Sequence, residues 1–225
     1  MSGALADLTS PQARCAAASA LLLVPLGATE QHGPHLPLST DTEIALALAT
    51  ALAQRREALV APPIAYGASG EHQAFAGTIS VGQEALRLFL IELVRSASTS
   101  FGRILLICAH GGNRQPVAQA VGQLRKEGRA VRAFFPCFGG DAHAGRCETS
   151  IMLSVRPAAV DLATAAPGND APLRQLMPVM VREGVHAVSP NGVLGNPAGA
   201  SAEQGEALLC AALADLEALL DDWEL

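Results

Sequence analysis

Two unbroken apolar runs of strand length, LLLVPL at Leu21–Leu26 and RILLICA at Arg103–Ala109, restrict what this chain can fold into. A strand with one wet face alternates apolar and polar residues. A strand with no polar position needs cover on both faces, which helices supply when they pack on either side of a parallel sheet. The first run stops at Gly27 and the second at His110-Gly-Gly-Asn113. Pro25 has no N–H to donate and counts against a central, regular strand at that point.

Between these runs the pattern changes to helical spacing. Thr40 and Glu43 fit a capping box, and Ile44, Leu46, Leu48, Ala51 and Leu52 carry a helix to about Arg56. Further helices are expected over Glu84–Ser96, from Asn113 to about Lys126 with Gly128 closing it, over Glu148–Ser154 and over Ser201–Asp222. Leu59–Ala61 and Val131–Phe135 read as shorter strands. Residues 62–82, 136–147, 165–172 and 189–200 read as loops, and 1–19 as a loose lead-in or a short helix. Alternating strands and helices predict an α/β fold with a mostly parallel sheet. A length of 225 residues fits one domain over 1–225.

Composition removes several function classes. The formal charge is −6, no Lys/Arg cluster stands out, and aromatic residues make up only 4%, so neither an electrostatic nor a base-stacking nucleic-acid surface is expected. No apolar run reaches the length of a membrane span, and no basic segment precedes an apolar stretch at the start. Five cysteines without a C-x-x-C pair predict a reduced, cytoplasmic chain in which they act as small core residues. Cys108 and Cys147 fall near the polar clusters described next, yet no basic partner marks either as a nucleophile.

Three polar clusters each follow an expected strand. Glu30 and His32 are two apart, so an extended segment points them to one side, and Asp41 falls in the first turn of the next helix. His110-Gly-Gly-Asn113 follows the strongest strand, at the sheet end where open α/β folds bind ligands. His143 and Glu148 follow the third. Each cluster alone has an ordinary reading: a carboxylate favoured by a helix dipole, a turn capped by Asn113, a polar loop. A parallel sheet brings all three to one edge. Imidazoles mixed with carboxylates suit zinc, iron or manganese, and five or six candidates exceed what one ion needs, which points to two divalent ions sharing a bridging carboxylate. Two such ions, three carboxylates and a hydroxide sum to no net charge. His35 and His186 read as a loop residue and a packing or surface residue.

The stretches VPLGATEQHGPHLPLSTDTEIA, AYGASGEHQAFAGTIS, CAHGGNRQP and DAHAGRCETSIML resemble the creatininase (creatinine amidohydrolase) family, over about Leu22 to Gly205. The resemblance implies a three-layer α/β/α fold, a dinuclear divalent metal site and a homo-oligomer, often a hexamer. It implies Glu30, Asp41 and His110 on one metal, His32, Asp41 and a further carboxylate on the other, and His143 as proton donor. In creatininase that further carboxylate lies two residues after the motif histidine. Here the position is Gly112, and Glu148 is the expected substitute. Cys108-Ala109 also stands where the family usually has Asn-Gly. Glu71, His72, Asn113 and the 189–200 loop are expected to meet substrate. GDAHAGRCETS and SPNGVLGNPAGASAEQG are most similar to a branch acting as a peptidase on a modified precursor peptide in redox-cofactor biosynthesis, which implies that peptide as substrate and a C-terminal Val-Tyr dipeptide as product. The rival substrates are creatinine or a formylaminopyrimidine. The rival of another class is a non-catalytic scaffold with a degenerate metal site.

Overall fold

The structure is a computed structural model that describes residues 3–17 and 19–224; residues 1, 2 and 18 of the expected lead-in lie outside the described residues. In chain order the longer elements are α1 (Ser10–Ala17), β1 (Leu21–Leu26), α2 (Thr40–Ala53), β2 (Ala58–Val60), α3 (Gln83–Ala97), β3 (Ile104–Cys108), α4 (Arg114–Lys126), β4 (Val131–Phe134), α5 (Arg146–Val155), α6 (Leu173–Glu183) and α7 (Ala202–Glu224). The four strands form one parallel sheet in the order β2-β1-β3-β4.

Both faces of the apolar runs are used. Leu22, Val24, Leu26, Ile104 and Leu106 pack with Leu86, Leu90 and Val94 of α3 and Val117, Ala120 and Leu124 of α4. The intervening Leu21, Leu23, Leu105 and Ile107 pack with Ile44, Leu48 and Leu52 of α2, Ile151 and Met152 of α5, and Leu213 and Leu216 of α7. At roughly 1.5–3 kcal/mol for each large side chain removed from water, these two clusters dominate folding. The result is the three-layer α/β/α arrangement, with the loops after β1 and β3 leaving one edge of the sheet.

Several local expectations change. Pro25 does lie in the interior strand β1, opposite Ile107 of β3. Its carbonyl accepts from the Ile64 N–H at 2.9 Å, so its polar backbone side faces the connection beyond the end of β2, where no ladder donor is needed. The Thr40/Glu43 capping box does not form. Thr40 is already helical, its hydroxyl donates to the Pro37 carbonyl at 2.7 Å, and the Glu43 carboxylate pairs with Arg156 at 2.7 Å. Helix α6 carries no counterpart among the expected elements, because Pro178 and the MPVMV run conceal its period. His186 lies in a 3₁₀ turn (Val185–Ala187) rather than a strand-like segment, with its ring 5.3 Å from Phe75. His35 is buried rather than a free loop residue: its Nε2–H donates to Thr149 Oγ1 at 2.9 Å and ties the 27–39 loop to α5.

Candidate metal centre

The loop leaving β1 turns back so that the Glu30 N–H donates to the Leu38 carbonyl at 3.1 Å. This brings Glu30 and His32 against the first turn of α2, where Asp41 is buried. His110 comes from the end of β3, His143 from the loop after β4, and Glu148 from the first turn of α5. Ala144 takes a left-handed backbone (φ 51°), an uncommon conformation for a residue with a Cβ. Its N–H then donates to Glu148 Oε2 at 2.5 Å and fixes that carboxylate beside His143.

The Asp41 carboxylate is split between two histidines. Oδ1 lies 3.3 Å from His32 Nε2, and Oδ2 lies 3.3 Å from His110 Nδ1. On the His110 side, Glu30 Oε2 is 3.3 Å from His110 Nε2. On the His32 side, Glu148 Oε2 is 4.0 Å from His32 Nε2. Two triads therefore share Asp41: Glu30, Asp41 and His110, and His32, Asp41 and Glu148, each with ligand atoms within 4.8 Å of one another. A third grouping joins Glu30, His32 and His143.

The imidazole tautomers follow from the backbone. His32 Nδ1–H donates to the Glu30 carbonyl at 3.1 Å, His110 Nε2–H to the Ala68 carbonyl at 3.1 Å, and His143 Nε2–H to the Gln31 carbonyl at 2.8 Å. Each ring spends one nitrogen on a carbonyl and aims the other, bare in the neutral ring, at a carboxylate: His32 Nε2 and His110 Nδ1 at Asp41, and His143 Nδ1 at Glu30. Metal-ligating histidines are held in this way. Glu30 Oε1 and Oε2 and Asp41 Oδ2 are buried without a hydrogen bond. Buried carboxylate oxygens without donors are costly unless a cation faces them, so the donor set fits divalent ions.

Without a cation the same charges act on protons. Burial pushes His32 down, but Asp41 outweighs it and holds the imidazole at about 9. Burial likewise opposes protonation of His110, and Glu30 and Asp41 raise it well above the usual histidine range. Burial raises Glu30, and His110 more than offsets it, leaving the carboxyl at about 2. Asp41 is held below the usual carboxylate range by His32 and His110 against its burial. His72 falls to about 3 through burial and the neighbouring His143. Burial, then His32, also lowers His143.

The remaining expected residues divide. Glu71 and His72 line a cavity of about 980 Å³ above the ligand groups. Glu71 Oε1 is 3.6 Å from His110 Nε2, and burial raises its pKa. A Cβ on Gly112 would stand 2.5 Å from both Glu71 Oε1 and His110 Nε2, so Glu71 fills the space a side chain at 112 would enter. Glu148, not Glu71, faces the His32–Asp41 pair. Asn113 is fully buried, and its amide ties two backbone segments, donating to Gly27 O at 2.9 Å and accepting from Ala68 N at 2.8 Å. It does not cap α4. Sequence reasoning missed the cavity wall formed by Leu173, Met177 and Val181 of α6, and Arg114 at its rim. Among the described residues no carboxylate pairs with Arg114; its guanidinium lies 4.7 Å over the Phe135 ring.

The family profile described as creatininase, creatinine amidohydrolase, matches residues 6–220. The chain belongs to the creatininase family. It is 49% identical to the mycofactocin precursor peptide peptidase of Mycobacterium ulcerans (strain Agy99) over 213 residues, which cover 90% of this chain and 85% of that protein. It is 29% identical to the creatinine amidohydrolase of Pseudomonas putida over 231 residues, covering 88% of this chain and 87% of the relative. Among solved structures, a mutant creatininase complexed with creatine superposes with a TM-score of 0.87 at 25% identity, covering 99% of this chain and 98% of the other. Another mutant creatininase, described as Zn-Zn type, superposes with a TM-score of 0.85 at 26% identity and the same two coverages.

Proposed function

We propose that this chain is a metal-dependent peptidase that hydrolyses a peptide bond near the C-terminus of a modified precursor peptide in mycofactocin biosynthesis. The carrying observation is the division of the buried Asp41 carboxylate between two ligand groups, with Glu30 Oε1 and Oε2 and Asp41 Oδ2 buried without a hydrogen bond. Two divalent ions, zinc, iron or manganese, would be held by Glu30, Asp41 and His110 and by His32, Asp41 and Glu148. When bound, they supply Lewis-acid polarisation of the amide carbonyl and a lowered pKa for the attacking water.

The chain's own residues do the rest. His143 turns its bare Nδ1 toward the centre, 3.9 Å from Glu30 Oε1, with Nε2 committed to a backbone carbonyl. That nitrogen takes the proton released when water adds to the carbonyl and returns it to the leaving nitrogen as the C–N bond breaks, leaving a carboxylic acid and an amine, which exchange the remaining proton to become carboxylate and ammonium. Glu71 lies at the floor of the cavity and Leu173, Met177 and Val181 along one wall, in a volume of about 980 Å³ that suits a peptide end better than a ring the size of creatinine. Arg114, without a carboxylate of its own, is placed to meet a terminal carboxylate at the rim. The proposal includes a single domain over 1–225, a cytoplasmic location and a homo-oligomer such as a hexamer. Among the described residues no helix is long and apolar enough to cross a membrane.

The test is incubation of the metal-loaded protein with modified precursor peptide, read by mass spectrometry. Release of a C-terminal Val-Tyr dipeptide supports the proposal. Intact peptide, together with turnover of creatinine or a formamide, overturns it.

A further inference from the structure

Gln31 lies between Glu30 and His32, yet its side chain turns away from both and is buried. Its hydrogen bonds determine its orientation. Oε1 accepts from the Gly33 N–H at 2.8 Å, so the NH₂ group occupies the other position. One of its hydrogens goes to the Gly192 carbonyl at 3.1 Å and the other to His72 Nδ1 at 2.8 Å. His143 Nε2 also lies 3.1 Å from this NH₂, but its proton is already directed to the Gln31 carbonyl, so it makes no competing claim as an acceptor. Gly192 has a φ of 80° and no room for a Cβ, which would collide with Gln31 Oε1. The 189–200 loop is thus built around this amide.

An amide donor facing Nδ1 requires that nitrogen to be bare. His72 is then a neutral ring with its proton on Nε2, which lies 3.4 Å from Glu30 Oε1. That is the opposite of the other three imidazoles, which give a carbonyl one nitrogen and aim the remaining one at a carboxylate. We infer that Gln31 and His72 are positioning residues: Gln31 locks His72 as the Nε2–H tautomer, so that His72 turns a polar N–H edge toward Glu30 Oε1, 3.4 Å away and outside hydrogen-bond geometry, and has no lone pair there with which to join Glu30 as a ligand. The effect on metal runs through Glu30, whose buried carboxylate this N–H edge faces; losing a supporting partner of a ligand costs about 10–100-fold in metal affinity. This inference rests on the metal reading proposed above and reassigns His72 from substrate contact to support of a ligand.

The test begins with long-range ¹H–¹⁵N correlation of the imidazoles in wild-type protein, with and without zinc. The inference expects His72 protonated on Nε2 and bare on Nδ1; a proton on Nδ1 overturns it. Zinc affinity by competition with a chromophoric chelator then separates positioning from packing. His72→Leu keeps bulk but removes the donor and is expected to weaken zinc binding about 10–100-fold, whereas His72→Gln restores an N–H and is expected to stay near wild type. Gln31→Glu accepts rather than donates at Nδ1 and is expected to reverse the His72 tautomer with the same loss. Unchanged affinity in His72→Leu overturns the inference while leaving the metal reading intact. Wild-type protein that takes up no zinc overturns both.

Discussion

Asp41→Asn tests the shared carboxylate. Asp41 is buried, and its two oxygens face different histidines, each at 3.3 Å. An asparagine keeps the shape but offers a single neutral oxygen, with an NH₂ on the other side. One group is therefore left with a donor where a ligand stood, and the other loses a charge. Structural zinc sites bind with about 10–16 kcal/mol over four ligands, so one ligand in each site is worth about 2.5–4 kcal/mol. That is about 10²–10³-fold in affinity at each position. Because Asp41 belongs to both groups, the two losses multiply, to about 10⁴–10⁶-fold for the pair. Glu30→Gln and Glu148→Gln each belong to one of the two Asp41 groups and should weaken one ion only. The assay is metal content by mass spectrometry after dialysis against a graded series of chelator concentrations. Asp41→Asn should lose both ions together at the lowest chelator, and Glu148→Gln should lose one while retaining the other. An Asp41→Asn protein that keeps one ion at wild-type affinity would refute the sharing argument.

Other predictions follow from the same geometry. His32, held at about 9, and His110, raised well above the usual histidine range, are protonated in metal-free protein at pH 7, so metal uptake should expel about two protons there, read by calorimetry in buffers of different ionisation enthalpy. No proton release would contradict the assignment. His32 is raised above its unfolded value of about 6.5, so its pairing stabilises the metal-free fold below that pH and is lost as pH rises through about 9; thermal denaturation of chelated protein should show the decline. Leu106 is fully buried in β3, so Leu106→Ala should cost about 2–5 kcal/mol in denaturant unfolding. Burial pushes the Cys108 thiol up to about 11, so it should resist a thiol reagent that labels the exposed Cys15, Cys137 and Cys210 in native protein. Arg114→Ala should raise KM for peptides ending in a free carboxylate and leave C-terminally amidated peptides unaffected; equal loss on both would remove Arg114 from the rim contact.

The layers were legible because a run with no polar position has one physical solution. Leu21–Leu26 alternates between the two cores, although in sequence it shows no period. The grouping of Glu30, His32, Asp41, His110 and Glu148 was legible for a related reason: three loops leaving parallel strands share one edge. What sequence could not carry were choices made by distant atoms. Pro25 is tolerated because its carbonyl faces Ile64, beyond a strand only three residues long. Thr40 looks like a cap, but the Pro37 carbonyl takes its hydroxyl first. The proton position on His72 depends on which way the Gln31 amide points, and Gly192, 161 residues away, helps decide that. Helix α6 is hidden because Pro178 interrupts its pattern, and with it the apolar wall of the cavity.

The most direct measurement is anomalous X-ray diffraction at the absorption edge of the bound metal, in crystals grown with zinc or manganese. Two peaks are predicted, one among Glu30, Asp41 and His110 and the other among His32, Asp41 and Glu148, with the Asp41 carboxylate between them. A single peak, or two peaks that do not share Asp41, would contradict the account.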